Sequence, residues 1–177
     1  MRKRFFWWEA AGFLFVSAAG TALHFVYDWS GGSNLAAAFS AVNESTWEHM
    51  KIFFFPFFLF SVTQLWFQGK NYANFLAART LSILFGLLLI PVLFYTYSGV
   101  LGRTVDWVNI SIFYIATLLA FLLDGRLLRR GRFSSLWLQL FSLGILWALA
   151  FLFVWCTFQP PALGLWRDPL TGGFGIP

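Results

Sequence analysis

The sequence predicts an all-α polytopic membrane protein, a bundle of about five transmembrane helices joined by short loops. Three observations carry this reading. Hydrophobic residues make up 59% of the 177 positions and mean hydropathy is +0.71, more apolar surface than a soluble core of this size can hide. Five apolar segments each reach the roughly 20 residues a helix needs to cross the hydrocarbon core. The connectors between them, "WSGGSN", "QGKN", "SGVLGRT" and "RRGRFSS", are rich in glycine, serine or charge. The single Cys156 excludes a disulfide framework within one chain. The basic residues fall in short clusters beside apolar runs, which is a topology signal and argues against nucleic acid as a partner.

The first span is expected over residues 5–28. "MRKR" precedes it and small residues follow in "SAAG", as in a secretory signal peptide. Its apolar stretch is long, however, and carries Glu9, so it is read as an uncleaved span. At 100° per residue, Glu9, Ser17, Thr21, His24 and Asp28 fall within an arc of roughly 120°, with Gly20 among them. A polar stripe on a membrane helix faces the bundle interior. The second span, 45–68, opens on "NESTWEHMK" and continues as "IFFFPFFLF". The third covers 72–97 and holds Arg79, at a depth like that of Glu9, so the two are expected to form a structural pair. The fourth covers 106–123 and continues the polar theme with Asp106, Asn109, Thr117 and, just beyond it, Asp124. The fifth covers 135–158, and an irregular tail, 159–177, follows. All five spans and the tail are read as a single membrane domain. Pro56 and Pro91 each free a carbonyl in mid-span, which suggests kinks or a widened cavity.

Orientation follows from lysine and arginine. Arg2, Lys3, Arg4, Lys70, Arg126, Arg129, Arg130 and Arg132 fall on one side of a five-span bundle, which is then cytoplasmic. The other side receives Asp28, Glu44, Glu48, Lys51, Arg103, Asp106, Arg167 and Asp168. The N-terminus is therefore expected inside and the C-terminus outside, in the cell (cytoplasmic) membrane.

The stretch 43–51 gathers much of the chain's polar chemistry. Asn43 and Ser45 are good N-caps, and Glu44 and Glu48 suit a helix N-terminus. Lys51 follows Glu48 by three residues. A capped helix start explains all of these. It explains His49 less well, because the short loop also returns this stretch to the level of His24 and Asp28. His24, Asp28, Glu44 and His49 are a reasonable ligand set for zinc or another divalent ion. A spare glutamate, Glu48 or Glu44, would then act as general base. The tail is expected to cap this outward-facing pocket, with Arg167 near Glu44, Glu48 or Asp28, and Asn43, Lys51, Asp106 and Asp168 are the further pocket and cap residues.

"ALHFVYDWSGGS", "VNESTWEHMKIFFFP" and "FQPPALGLWRDPLTGGFGIP" resemble a family of small bacterial multi-pass membrane proteins of unknown function. Its most specific parts are Asn43-Glu44-Ser45, Trp47-Glu48-His49, and the tail Asp168-Pro169 with Thr171-Gly172. One departure is Ala41, where the pattern has proline. The resemblance implies an integral membrane protein and no particular activity. A more distant analogy runs to alkaline-ceramidase-type hydrolases, which have seven spans and three histidine ligands and so match neither feature here. Three functions stay open from the sequence. The first is a metal-dependent hydrolase or transferase acting on lipid or envelope material. The second is a carrier or channel for a small solute, ion or proton, with an oligomer supplying missing walls. The third is a non-catalytic partner of another membrane protein or of lipid.

Overall fold

In the computed structural model, which describes residues 2–176, six α-helices are connected without any named strand. Met1 and Pro177 lie outside the described residues, as do the side chains of Arg2 and Lys3, on which part of the charge asymmetry rests. The helices are α1 (Arg2–Trp29), α2 (Asn34–Ala37), α3 (Thr46–Gln68), α4 (Phe75–Leu101), α5 (Asp106–Arg130) and α6 (Leu136–Phe158). All except α2 are long and apolar enough to cross a membrane.

Local chemistry sets the boundaries. Ser45 caps α3 by accepting the Glu48 N–H at 3.4 Å, and Ser135 caps α6 by accepting that of Leu138 at 3.4 Å. Helix α5 runs to Arg130, well past the apolar stretch that ends at 123. Nothing breaks it before Gly131, whose φ of 62° is the left-handed stop, and Arg129 and Arg130 suit the negative end of the helix.

Helices α3 and α4 form the centre. Helix α3 touches each of the other four long helices, and α4 touches α3, α5 and α6. The core is aromatic: Phe53, Phe54 and Phe57 are fully buried, and Phe57 stacks on Phe121 with ring centroids 4.3 Å apart. Lipid gives helices no hydrophobic reason to associate, so such a core depends on close approach at small residues. Gly12 admits Phe121 and Phe60, since a Cβ there would lie 2.5 Å from a ring carbon of each. Pro56 cannot donate to Ile52 O, four residues back, and that carbonyl faces Gly20 of α1. A Cβ at position 20 would sit 2.9 Å from it. The proline and the glycine thus make one close crossing of α1 on α3.

Large apolar side chains cover the outside, among them Trp7, Trp66, Trp107 and Trp137. Lipid is the solvent that suits this surface. A groove of about 770 Å³ opens between α1, α3 and α6, lined by residues such as Ala19, Leu23, Pro56, Leu59, Trp147 and Phe151.

Candidate metal centre

The end of α1 and the start of α3 meet at one end of the bundle, and the loop between them is held by its own backbone. Ala41 N donates to Leu23 O at 3.2 Å. Asn43 Oδ1 accepts the Ser45 N–H at 2.9 Å, and Asn43 Nδ2 donates to Gly175 O of the tail at 2.7 Å. Glu44 is thereby fixed between two helices without belonging to either.

Three side chains converge there. His24 Nε2 lies 3.5 Å from Glu44 Oε1, and His49 Nε2 lies 3.5 Å from Glu44 Oε2. The two imidazole centroids are 5.3 Å apart. One donor atom from each residue falls within 4.8 Å of the others, the one such trio among the described residues.

Hydrogen bonding orients His49. Its Nδ1 is 2.9 Å from Ser45 O. A carbonyl only accepts, so Nδ1 carries the proton and Nε2 is turned to the carboxylate. A backbone carbonyl that fixes the tautomer in this way is a usual support for a histidine ligand. With Nδ1 protonated, a lone pair on Nε2 would point at a negative oxygen. A cation between them, proton or metal, removes that repulsion. The spacing bears on which. A charge-assisted N–H···O bond is about 2.7–2.9 Å long, shorter than either 3.5 Å separation. Donors about 2.0–2.1 Å from a tetrahedral zinc are about 3.4 Å apart. The Glu44 carboxyl titrates below its ordinary range, chiefly through its contact with the His24 imidazole, with His49 adding to the effect against the opposing cost of burial.

The other expected residues lie elsewhere. Asp28 is exposed one helical turn beyond His24, outside the trio. Glu48 turns inward: its Oε2 is 2.5 Å from Lys51 Nζ and accepts the Val42 N–H at 3.1 Å. Glu44 and Glu48 part because Ser45 is the cap, so Glu44 precedes the helix and shares no face with Glu48. Lys51 is fully buried and also donates to Ala37 O and Thr157 Oγ1, each at 2.8 Å. It ties α3 to α2 and α6. Asp106 is exposed in the first turn of α5, away from the trio. Arg167 forms no ion pair with Glu44, Glu48 or Asp28 among the described residues. With Thr46, Tyr95 and Asp168 it lines a cavity of about 370 Å³. Asp168 holds the tail's own turn, accepting from Leu170 N at 3.0 Å and from the Thr171 hydroxyl at 2.6 Å.

A second polar centre is buried at the opposite end. Arg79 of α4 lies 3.5 Å from Glu9 of α1 and 3.2 Å from Asp124 of α5. Gln64 of α3 donates to Glu9 at 3.1 Å and accepts from Arg79. Sequence reasoning paired Arg79 with Glu9 alone. Asp124 was visible as an extension of the α5 polar arc, whereas Gln64 gave no signal within an apolar run.

A family model matches residues 2–176, described as a family of unknown function (DUF6512). The chain belongs to this family. Both polar centres, the aromatic core and the tail as far as Ile176 lie within the match. No curated protein and no solved structure matches the chain.

Proposed function

We propose that this is a metal-dependent hydrolase or transferase of the cell membrane, acting on lipid or envelope material at the outward-facing end. The observation that carries the reading is the trio His24, Glu44 and His49, with each imidazole 3.5 Å from a different oxygen of one carboxylate. Two histidines and a glutamate form a catalytic zinc set, which leaves a fourth position for water. The bound metal would supply a hydroxide near neutral pH by lowering the pKa of that water to about 7.

The protein's own parts then have distinct roles. Ser45 O and the Asn43 turn hold His49 and Glu44 in place. Glu44 serves as ligand. Glu48, engaged by Lys51, acts as structure and not as base. Asp28 is the carboxylate nearest in sequence that is left to take the water's proton and return it to the leaving group. A lipid substrate suits the apolar groove, whose lining includes Leu23, the neighbour of His24.

The transport reading has less support. Between Glu9 and His24 the Thr21 hydroxyl is engaged locally, with Ser17 O at 2.8 Å and with the Tyr114 hydroxyl at 2.9 Å. Phe113, Phe121 and Phe60 fill the space beside Gly20 and Gly12.

The test is incubation of purified protein with vesicles of mixed phospholipids and sphingolipids, with products read by mass spectrometry. Turnover that needs zinc, is stopped by a chelator and is lost in His24→Ala and His49→Ala is expected. Turnover unchanged by the chelator and by both substitutions would overturn the proposal.

A further inference from the structure

The centre around Arg79 is independent of the metal site. On α1, 15 residues run from Glu9 to His24, and on α3, 15 run from His49 to Gln64. At about 1.5 Å per residue, each separation is about 22 Å.

Charge at this second centre does not balance. Two carboxylates, Glu9 and Asp124, face a single guanidinium. Arg79 and Asp124 are wholly buried, and Glu9 is 12% exposed. Among the described residues the neighbours offer no further cation at close range. Four rings, Phe57, Phe60, Phe75 and Phe121, surround the guanidinium with centroids 5.2–6.0 Å away. Gln64 of α3 is neutral. Tyr72, before α4, is no cation, and its phenol is pushed up first by burial and then by Glu9. Arg129 of α5 is exposed, donates to Gly125 O at 2.8 Å and lies over the Phe5 ring. Helix α6 brings no charged residue to this end.

Hydrogen bonding is incomplete in the same place. Among the described residues, Glu9 Oε2, both Asp124 oxygens, and Arg79 Nε and Nη1 are buried without a hydrogen-bond partner. An uncompensated carboxylate in a membrane core is costly, and such a group takes up a proton before it stays charged. Two like charges sharing one site also titrate as a pair, with one proton retained long after the other is lost. A metal ion is a poorer occupant, because the guanidinium already holds the position between the two acids.

We infer that Glu9 and Asp124 together bind one proton at neutral pH, making this centre a buried protonation site with net charge zero. One of the two carboxyls carries the proton, and Arg79 compensates the charge of the other.

Infrared difference spectroscopy of the protein in lipid reads this directly. A protonated carboxyl gives a carbonyl stretch separate from the amide and carboxylate bands, and it shifts in heavy water. The wild type at pH 7 is expected to show about one such group per chain. Glu9→Gln and Asp124→Asn should each abolish it, because either leaves one acid facing Arg79. Arg79→Gln should raise it towards two. A wild-type spectrum without the band at pH 7, or a band that survives both single substitutions, would overturn the inference. The wild-type measurement alone decides if a variant does not fold. Zinc content should be unchanged in Glu9→Gln, which separates this site from the metal centre.

Discussion

At the residue scale, the same few polar types serve opposite purposes according to burial. Lys51 has an acceptor for each of its three N–H bonds, namely Glu48, Ala37 O and Thr157. Lys51→Met strands the Glu48 carboxylate, and losing one partner of a buried pair costs about 3–5 kcal/mol. A drop in melting temperature of the detergent-solubilised protein checks this, and Glu48→Gln added to Lys51→Met should recover part of it. Glu44 is different because its side chain is 40% exposed. Its folded pKa lies below the ordinary 4.5, so its contribution is present above the unfolded value and is lost as pH falls through the folded one. Melting curves of wild type and Glu44→Gln should therefore converge in acid and separate as pH rises past 4.5. Equal separation at every pH would contradict the lowered Glu44 pKa. The polar types in "NESTWEHMK" were legible in the sequence, but their directions were not. Whether Ser45 or Asn43 caps the helix decides whether Glu44 and Glu48 share a face, and that two-residue shift needed the backbone.

At the element scale, the helices were the most legible feature, because a run of about 20 apolar residues has few alternatives to a spanning helix. Their ends were less so. Helix α5 outran its apolar stretch by seven residues, from 123 to 130, since hydropathy falls before the first true breaker, Gly131. Pro56 was read as a kink or cavity signal. In the structure it frees Ile52 O at the Gly20 crossing and also lines the apolar groove. Overpacking of this crossing costs typically about 1–3 kcal/mol. Gly20→Ala should lower thermal stability by that order, and Ala19→Ser, toward the groove, should have little effect. Comparable losses for both would show that the crossing is not the constraint.

At the scale of the whole molecule, two polar centres sit at opposite ends of an aromatic core, and α1 and α3 contribute to both. The sequence suggested one continuous polar stripe along α1. The intervening stretch is filled because Gly12 and Gly20 admit phenylalanine rings from other helices, which one helix viewed alone does not show. Orientation is testable with cysteines introduced after Cys156→Ala. Gly31→Cys, at the end of α1 that carries His24, should react with an impermeant reagent from outside, and Gly131→Cys only after the membrane is opened. The reverse pattern would place the centre on the inner face. The most direct test of the central claim is elemental analysis of purified wild type beside His24→Ala and His49→Ala. Near-stoichiometric zinc or another divalent metal in the wild type, lost in both variants, is the expected result. Wild type free of metal after purification in its presence, with both variants folding normally, would contradict a metal centre. His24 and His49 would then be polar packing around Glu44.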